Sequence, residues 1–474
     1  MKKNIFVFIL SLFMISFTFS EEKQTEVKKI NIEEAINLAT ENNISLKRNK
    51  LSLDLLEKKN ATSWNNLSPT ISISGNYGNS LENDSYRYSV SDYKSFSASS
   101  STNTGSFFPG DNANFSFSGS LSLNLSPSIY TTIRGAYLNY EDGKFTYEQA
   151  IKTVELNLRK AFYSILYQKE NISLQTRNLQ TAEQQYNLSL DKYNKGNLSE
   201  LDLLTAQVNY ENLKPTLDSS IISYENNLAS FKQILGIDQD VEIELEGSLE
   251  DALPSSPITI ESTLDNLPSI ISLENKIDSA KNSLLATRFS AWGPSITTSF
   301  SYGLSSSGSS SANYSSLSQS WGISNSSSWG STSSLSIGLK IPLDGFLPWS
   351  SGAMSIESQK TTVKDLQLQL EDEKTNASIE IQNSLNKIAQ AQLQLDSLQK
   401  NVELSEKTYN MTLTAYNHGS KDLLTLQNAS DSLMKAKNSQ QSQYYTLISS
   451  ILDLESTLGI PFGTLGQQTN KLEK

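Results

Sequence analysis

The feature that most constrains this chain is an internal duplication. Displaced by 223 residues, the sequence matches itself over a long ungapped stretch. Asn178, Glu183, Tyr186, Asn187, Leu190, Tyr193, Asn194 and Gly196 align with Asn401, Glu406, Tyr409, Asn410, Leu413, Tyr416, Asn417 and Gly419. The match continues through Leu201, Leu203, Ala206 and Lys214 against Leu424, Leu426, Ala429 and Lys437, and closes on Leu235-Gly236-Ile237 against Leu458-Gly459-Ile460. Upstream, with the displacement changed to 225, Pro69, Ile71, Ser74, Tyr77 and Gly78 align with Pro294, Ile296, Ser299, Tyr302 and Gly303. Two copies of one unit follow, and the 474 residues are not a string of unrelated domains.

Each half reads helix, strand, loop, strand, helix, turn, helix. Residues 31–64 and 261–290 carry apolar positions at helical spacing, for example Ala35, Ile36, Leu38 and Ala39. Residues 129–193 and 351–416 are helical stretches that would each extend about 100 Å at 1.5 Å per residue, far beyond ordinary globular helices. They call for a coiled-coil or barrel assembly. Tyr193-Asn194-Lys195-Gly196 and Tyr416-Asn417-His418-Gly419 place glycine where a helix end needs a left-handed residue. The chain then returns as a helix to Gly236 or Gly459, with Pro215 expected to kink the first return helix or break its hydrogen bonding.

The strands alternate. In 115–125, Phe115, Phe117, Gly119, Leu121, Leu123 and Leu125 share one face, and Ser116, Ser118, Ser120, Ser122 and Asn124 the other. Residues 335–343 repeat this, and 70–78 and 295–304 are the expected partners. An apolar face opposite a small polar one over about ten residues fits a transmembrane β-strand, and equally a soluble sandwich strand. Segments 79–113 and 305–332, rich in Ser, Gly and Asn, are expected to be long loops. Tyr86, Tyr88, Tyr93, Trp321 and Trp329 within them read as ordinary loop residues, with interfacial or ligand contact as the alternative.

Composition narrows the function. Cysteine is absent and histidine occurs once, which excludes disulfides, thiolate chemistry, Cys-based metal sites and sites needing several imidazoles. A net charge of −12 argues against nucleic-acid binding. No catalytic, cofactor or metal site is expected, and the chain does not read as an enzyme. Hydrophobic residues make up 37%, low for a large compact core but enough for helices that bury narrow stripes. Lys2 and Lys3, an apolar run from Ile5 to Phe19 and the polar exit at Glu21-Glu22 read as a signal peptide over 1–20. An exported chain with two amphipathic hairpins beside such long helices tips the strands towards the membrane.

These residues resemble the TolC family of outer-membrane efflux and secretion channels. The duplicated unit carries the resemblance, with the Tyr-x-x-Gly turns, Leu201-Asp202-Leu203-Leu204-Thr205-Ala206-Gln207 after the first, and the two Leu-Gly-Ile endings. So does the opening Ile32-Glu33-Glu34-Ala35-Ile36-Asn37-Leu38-Ala39 followed by Glu41-Asn42-Asn43. The resemblance spans essentially the whole mature chain. It implies a mixed α and β fold of two tandem repeats, 21–237 and 261–460, with an equatorial linker at 238–260 and a tail at 461–474. It implies a homotrimer in which long helical hairpins form a periplasmic α-barrel, and four strands per protomer enter a shared 12-stranded barrel in the outer membrane. Its partners would be outer-membrane lipid, a periplasmic adaptor (membrane fusion) protein and an inner-membrane pump of RND or ABC type, with no cofactor and no nucleic acid.

In that family, acidic residues near one hairpin tip of the second repeat narrow the periplasmic entrance. The ungapped alignment puts Thr425 and Asn428 at those positions, with Asp202 the acidic equivalent in the first repeat. A local alignment slipped by three residues pairs Asp202 with Asp422 instead. The gate and adaptor-contact candidates are therefore Gly196, Asp202, Gly419, Lys421, Asp422, Thr425 and Asn428, against the alternative of a solvated hairpin end. His418 reads as an exposed turn residue. The rival functions are a periplasmic coiled-coil scaffold and a surface adhesin displaying the Ser-rich loops. A channel with an acidic lumen would prefer cations.

Overall fold

The computed structural model describes residues 28–79, 113–253, 264–315 and 320–465. The expected signal peptide, Tyr86, Tyr88, Tyr93, nearly all of the 79–113 loop and the end of the tail lie outside these residues. In chain order the elements are β1 (Lys28–Ile30), α1 (Ile32–Asn42), α2 (Ile44–Ala61), β2 (Thr70–Asn79), β3 (Ala113–Leu125), α3 (Ser128–Asn194) and α4 (Glu200–Leu235). The second half follows with β4 (Ile243–Leu245), α5 (Pro268–Trp292), β5 (Ser295–Ser315), β6 (Ser320–Lys340), α6 (Ser351–Asn417) and α7 (Leu423–Leu458).

The duplication is visible in the helix boundaries. Helices α3 and α6 each have 67 residues, and α4 and α7 each have 36. Every one of these boundaries is displaced by 223 between the halves. Two expectations are corrected nearby. Residues 31–64 are not one helix, because Asn43 interrupts them: its side chain accepts from the Ser45 and Leu46 amides and donates to the Ile234 carbonyl. Pro215 does not break α4, which runs through it. Around the lost backbone bond, the Thr216 hydroxyl donates to the Asn212 carbonyl, and Lys214 pairs with Glu211 while lying 4.1 Å from the Tyr210 ring.

The contacts divide the chain into two compact units. One comprises the described parts of 1–52, 144–272 and 371–474 and is helical apart from β1 and β4, which pair in parallel, Ile30 opposite Leu245. Its core is built from helical stripes. Ala35 and Ala39 of α1, Leu158, Phe162 and Ile165 of α3, Phe231 and Leu235 of α4, and Tyr444, Ile448 and Leu452 of α7 form one cluster. Leu447, Ile451, Leu454 and Leu458 leave α7 on another side and pack on Ile388 and Ala391 of α6. Helix α7 thus buries two stripes and twelve residues, whereas its repeat counterpart α4 buries three. The symmetry of the sequence is broken in the packing.

The second unit, 53–143 with 273–370, contains an antiparallel sheet of order β2-β3-β5-β6 and the helix segments that enter and leave it. Here the expected loop at 305–332 is corrected. Strands β5 and β6 are 21 residues each and pair from Ser295–Lys340 to Ser315–Ser320, so Trp321 and Trp329 lie in a strand. The strand expected at 335–343 ends at Lys340 instead, just before Pro342, which has no N–H to give a ladder. Among the described residues no helix is long and apolar enough to cross a membrane.

Candidate functional site

Two places carry chemistry beyond packing: the paired hairpin turns and the sheet. At the first turn, α3 ends in a Schellman motif. The Gly196 amide donates to the Tyr193 carbonyl (2.8 Å) and Asn197 to Lys192 (2.9 Å), with Gly196 at φ 73°. The second turn repeats it: Gly419 donates to Tyr416, Ser420 to Ala415, and φ is 72° at Gly419. A side chain at either glycine would be strained by the backbone conformation alone, since open space surrounds both.

Each return helix then starts on a side-chain cap, and the two caps exchange chemistry. Ser199 Oγ accepts from the Asp202 amide at 3.1 Å and donates to the Asp202 carboxylate at 2.7 Å. At the equivalent positions the order is inverted. The Asp422 carboxylate accepts from the Thr425 amide at 3.0 Å and from its hydroxyl. The structural counterpart of Asp422 is therefore Ser199 and that of Asp202 is Thr425, which selects the ungapped alignment over the slipped one. The Thr425 hydroxyl, then its amide, hold the Asp422 carboxyl below the usual carboxylate range.

Because that shift is downward, the capping contribution is fully present above the ordinary carboxylate pKa. It is lost only as pH falls through the depressed value. Asp422→Ala is expected to speed amide hydrogen exchange in the first turn of α7 several-fold at neutral pH, with Asp422→Asn close to wild type. An unchanged exchange rate in the alanine variant would remove the capping role.

Lys421, Asp422 and Asn428 are exposed, as is His418, whose backbone amide donates to the Thr414 carbonyl. All seven candidate positions thus fall at the two turns. The sequence did not indicate what joins them. Lys192 Nζ lies 4.9 Å from the Tyr416 ring centre beside the turns, and Ser430 reaches Asn178 at 3.4 Å farther along α3, so the first hairpin touches the second at two levels. Within the first hairpin, Tyr186 and Tyr210 stack at 6.0 Å.

In the sheet, register sorts the side chains into two faces. One carries rows such as Ile71–Leu121–Phe300–Leu335 and Leu125–Ile296–Leu339. Ile71 is 76% exposed and Leu335 68%, so this apolar face is uncovered in the single chain. The other face is a hydroxyl lattice, with rows Thr70–Ser122–Ser299–Ser336 and Ser72–Ser120–Ser301–Ser334. Its hydroxyls bond across strands at 2.6 Å (Thr70–Ser122), 2.7 Å (Ser72–Ser120) and 2.6 Å (Ser299–Ser336). Among the described residues, both outer strands, β2 and β6, have a neighbour on one side only.

Solved structures with the same fold exist. The Campylobacter jejuni CmeC outer membrane channel is 17% identical, with 93% of this chain and 90% of that chain aligned at a TM-score of 0.66. CusC is 14% identical over 91% of this chain and 92% of that one, also at 0.66. The open state of the Neisseria gonorrhoeae MtrE outer membrane channel is 18% identical over 90% and 89%, at 0.61. No curated protein matches the sequence. The sequence profile of the family described as Outer membrane efflux protein matches residues 35–236 and 259–459, one match in each half of the duplication. Together those two segments take in most of the chain, which therefore belongs to the outer membrane efflux protein family.

Proposed function

We propose that the chain is a passive exit duct of the outer membrane, assembled as a homotrimer and serving a tripartite efflux or type I secretion system. The observation that carries this reading is the four-stranded sheet with one exposed apolar face and two open edges. In hydrocarbon every backbone donor and acceptor needs a partner, so a lone four-stranded sheet is not viable there, and closure with further copies removes both edges. Three copies give a 12-stranded barrel, apolar outside and hydroxyl-lined within. A soluble scaffold would instead cover the apolar face, which here is bare.

The helices support association too. On α6, Ile379, Leu393, Leu404 and Met411 are 54–73% exposed, and their spacings of 14, 11 and 7 residues bring them onto one helix face. A stripe of that length calls for a partner helix, and a neighbouring protomer supplies one. The helical part would then stand in the periplasm with the hairpin turns as its gated end. Release of the Lys192–Tyr416 contact as an adaptor and pump engage would open it. Such engagement shifts the gate only by binding the open state more tightly than the closed one.

Purified protein in planar bilayers is expected to give discrete conductance steps, and native mass spectrometry a trimer. A monomer without conductance would end the duct reading.

A further inference from the structure

The net charge of −12 is spread unevenly, and the sheet has almost no share in it. Strands β2, β3, β5 and β6 contain a single charged residue among their described positions, Lys340. Lys340 lies in register with Ser295 and alternates with Leu339, which places it on the hydroxyl face, in line with Ser334, Ser336 and Gly338. Its side chain is exposed and makes no ion pair with a described side chain. Of the four segments that run into the sheet, only its own brings an acidic residue as the nearest charge. Along the other three segments that run into the sheet, the nearest charges in sequence are Lys59, Arg134 and Arg288, all basic. Asp344 is the first acidic residue beyond β6.

We propose that Lys340 is a selectivity residue of the duct: a ring of three ammonium groups on the inner face of the barrel, at the end where the strands join the helices, that favours anionic solutes. This rests on the trimeric duct reading above. Twelve strands spaced 4.8 Å apart and tilted near 40° close to a barrel about 24 Å across between backbones. A lysine side chain reaching inward brings the axis within about 10 Å, one Debye length at 0.1 M salt. With no opposing carboxylate on the strands and low-dielectric walls around the lumen, the ring sets the sign of the potential in that section. Organic anions, such as carboxylates and anionic amphiphiles, are then concentrated there and cations depleted. The acidity of the whole chain lies outside these four strands, much of it in the seven carboxylates of 238–251, and does not describe the sheet.

Because the chain has no cysteine, a single introduced thiol reads this potential directly. Gly338 is two residues from Lys340 on the same face, and a side chain added there meets only Thr297 Oγ1, at 3.4 Å. In Gly338→Cys trimers in phosphatidylcholine vesicles, the thiol is modified with methanethiosulfonates bearing a sulfonate or a trimethylammonium group. The sulfonate-to-ammonium rate ratio is expected to fall about threefold at 10 mM salt when Lys340→Gln is added. It should fall further with Lys340→Glu, return with Lys340→Arg, and lose its dependence on residue 340 at 1 M salt. A thiol that reacts readily with an unchanged ratio in Lys340→Gln overturns the selectivity role and leaves the duct intact. A thiol at 338 that no aqueous reagent reaches, while one at 337 or 339 is reached, overturns the duct reading and this role with it.

Discussion

Arginine at Leu335 will stop the protein from assembling in membranes, whereas arginine at the adjacent Ser336 will leave assembly intact. The two residues are neighbours in β6 and point to opposite faces. Leu335 stands in the row Ile71–Leu121–Phe300–Leu335, in the middle of the apolar band, and is 68% exposed in the single chain. On the duct reading, an arginine facing hydrocarbon near mid-depth costs about 2–4 kcal/mol per chain, and closure of a trimer incurs that cost three times. Ser336 faces the hydroxyl lattice and bonds to Ser299 at 2.6 Å. Arginine there gives up one hydroxyl bond and gains water, a cost of about 1 kcal/mol. Heat-resistant trimers in washed membranes should vanish for Leu335→Arg and persist for Ser336→Arg. Equal behaviour of the two variants would mean that the faces are not lipid and lumen, and a soluble scaffold would leave membrane content unaffected by either.

That contrast rests on the part of the fold most legible in the sequence, and on one part that was hidden. Alternation at 115–125 and 335–339 showed the two faces, because period two is imposed by the pleat itself. The outer lengths of β5 and β6 were not legible. Residues 305–332 are mostly Ser and Gly, which weak strand propensity assigns to a loop, yet hairpin pairing between 305–315 and 320–332 holds these two segments as strands. Tyr314, Trp321, Ile323 and Trp329 fall on one face by register, but among so many serines they are too sparse for alternation to show.

At the hairpins the reverse holds. Gly196 and Gly419 announce themselves because few other residues accept their φ, whereas the caps at Ser199 and Asp422 emerge only in the structure. The Lys192–Tyr416 contact and the double burial of α7 arise from tertiary packing. Helices α4 and α7 share an ancestral pattern, and nothing in that pattern says which copy is covered on two sides.

Replacing Glu455 with alanine will destabilise the helical unit by about 2–5 kcal/mol, because the amides of Gly463 and Leu465 lose their acceptor. Glu455 is completely buried in the last turn of α7. A carboxyl group buried there is costly unless its oxygens are hydrogen-bonded. What offsets this is the segment that follows. Glu455 accepts from the amides of Gly463 at 2.9 Å and Leu465 at 3.0 Å, while Arg159 lies 5.5 Å from the ring centre of Phe462, just before them. The first repeat solves the same task with the opposite charge: Lys232, displaced by 223, donates to the carbonyl of Gln239 at 2.9 Å. One side chain receives backbone N–H groups and the other gives to backbone C=O, and each ties the chain leaving a return helix to that helix's last turn. Glu455→Gln keeps one accepting oxygen and should lose about half as much. Denaturant unfolding of the solubilised protein measures both, and limited proteolysis should cut after α7 first in the alanine variant. An alanine variant with a wild-type unfolding midpoint and an uncut tail would show that the carboxylate does not hold this segment.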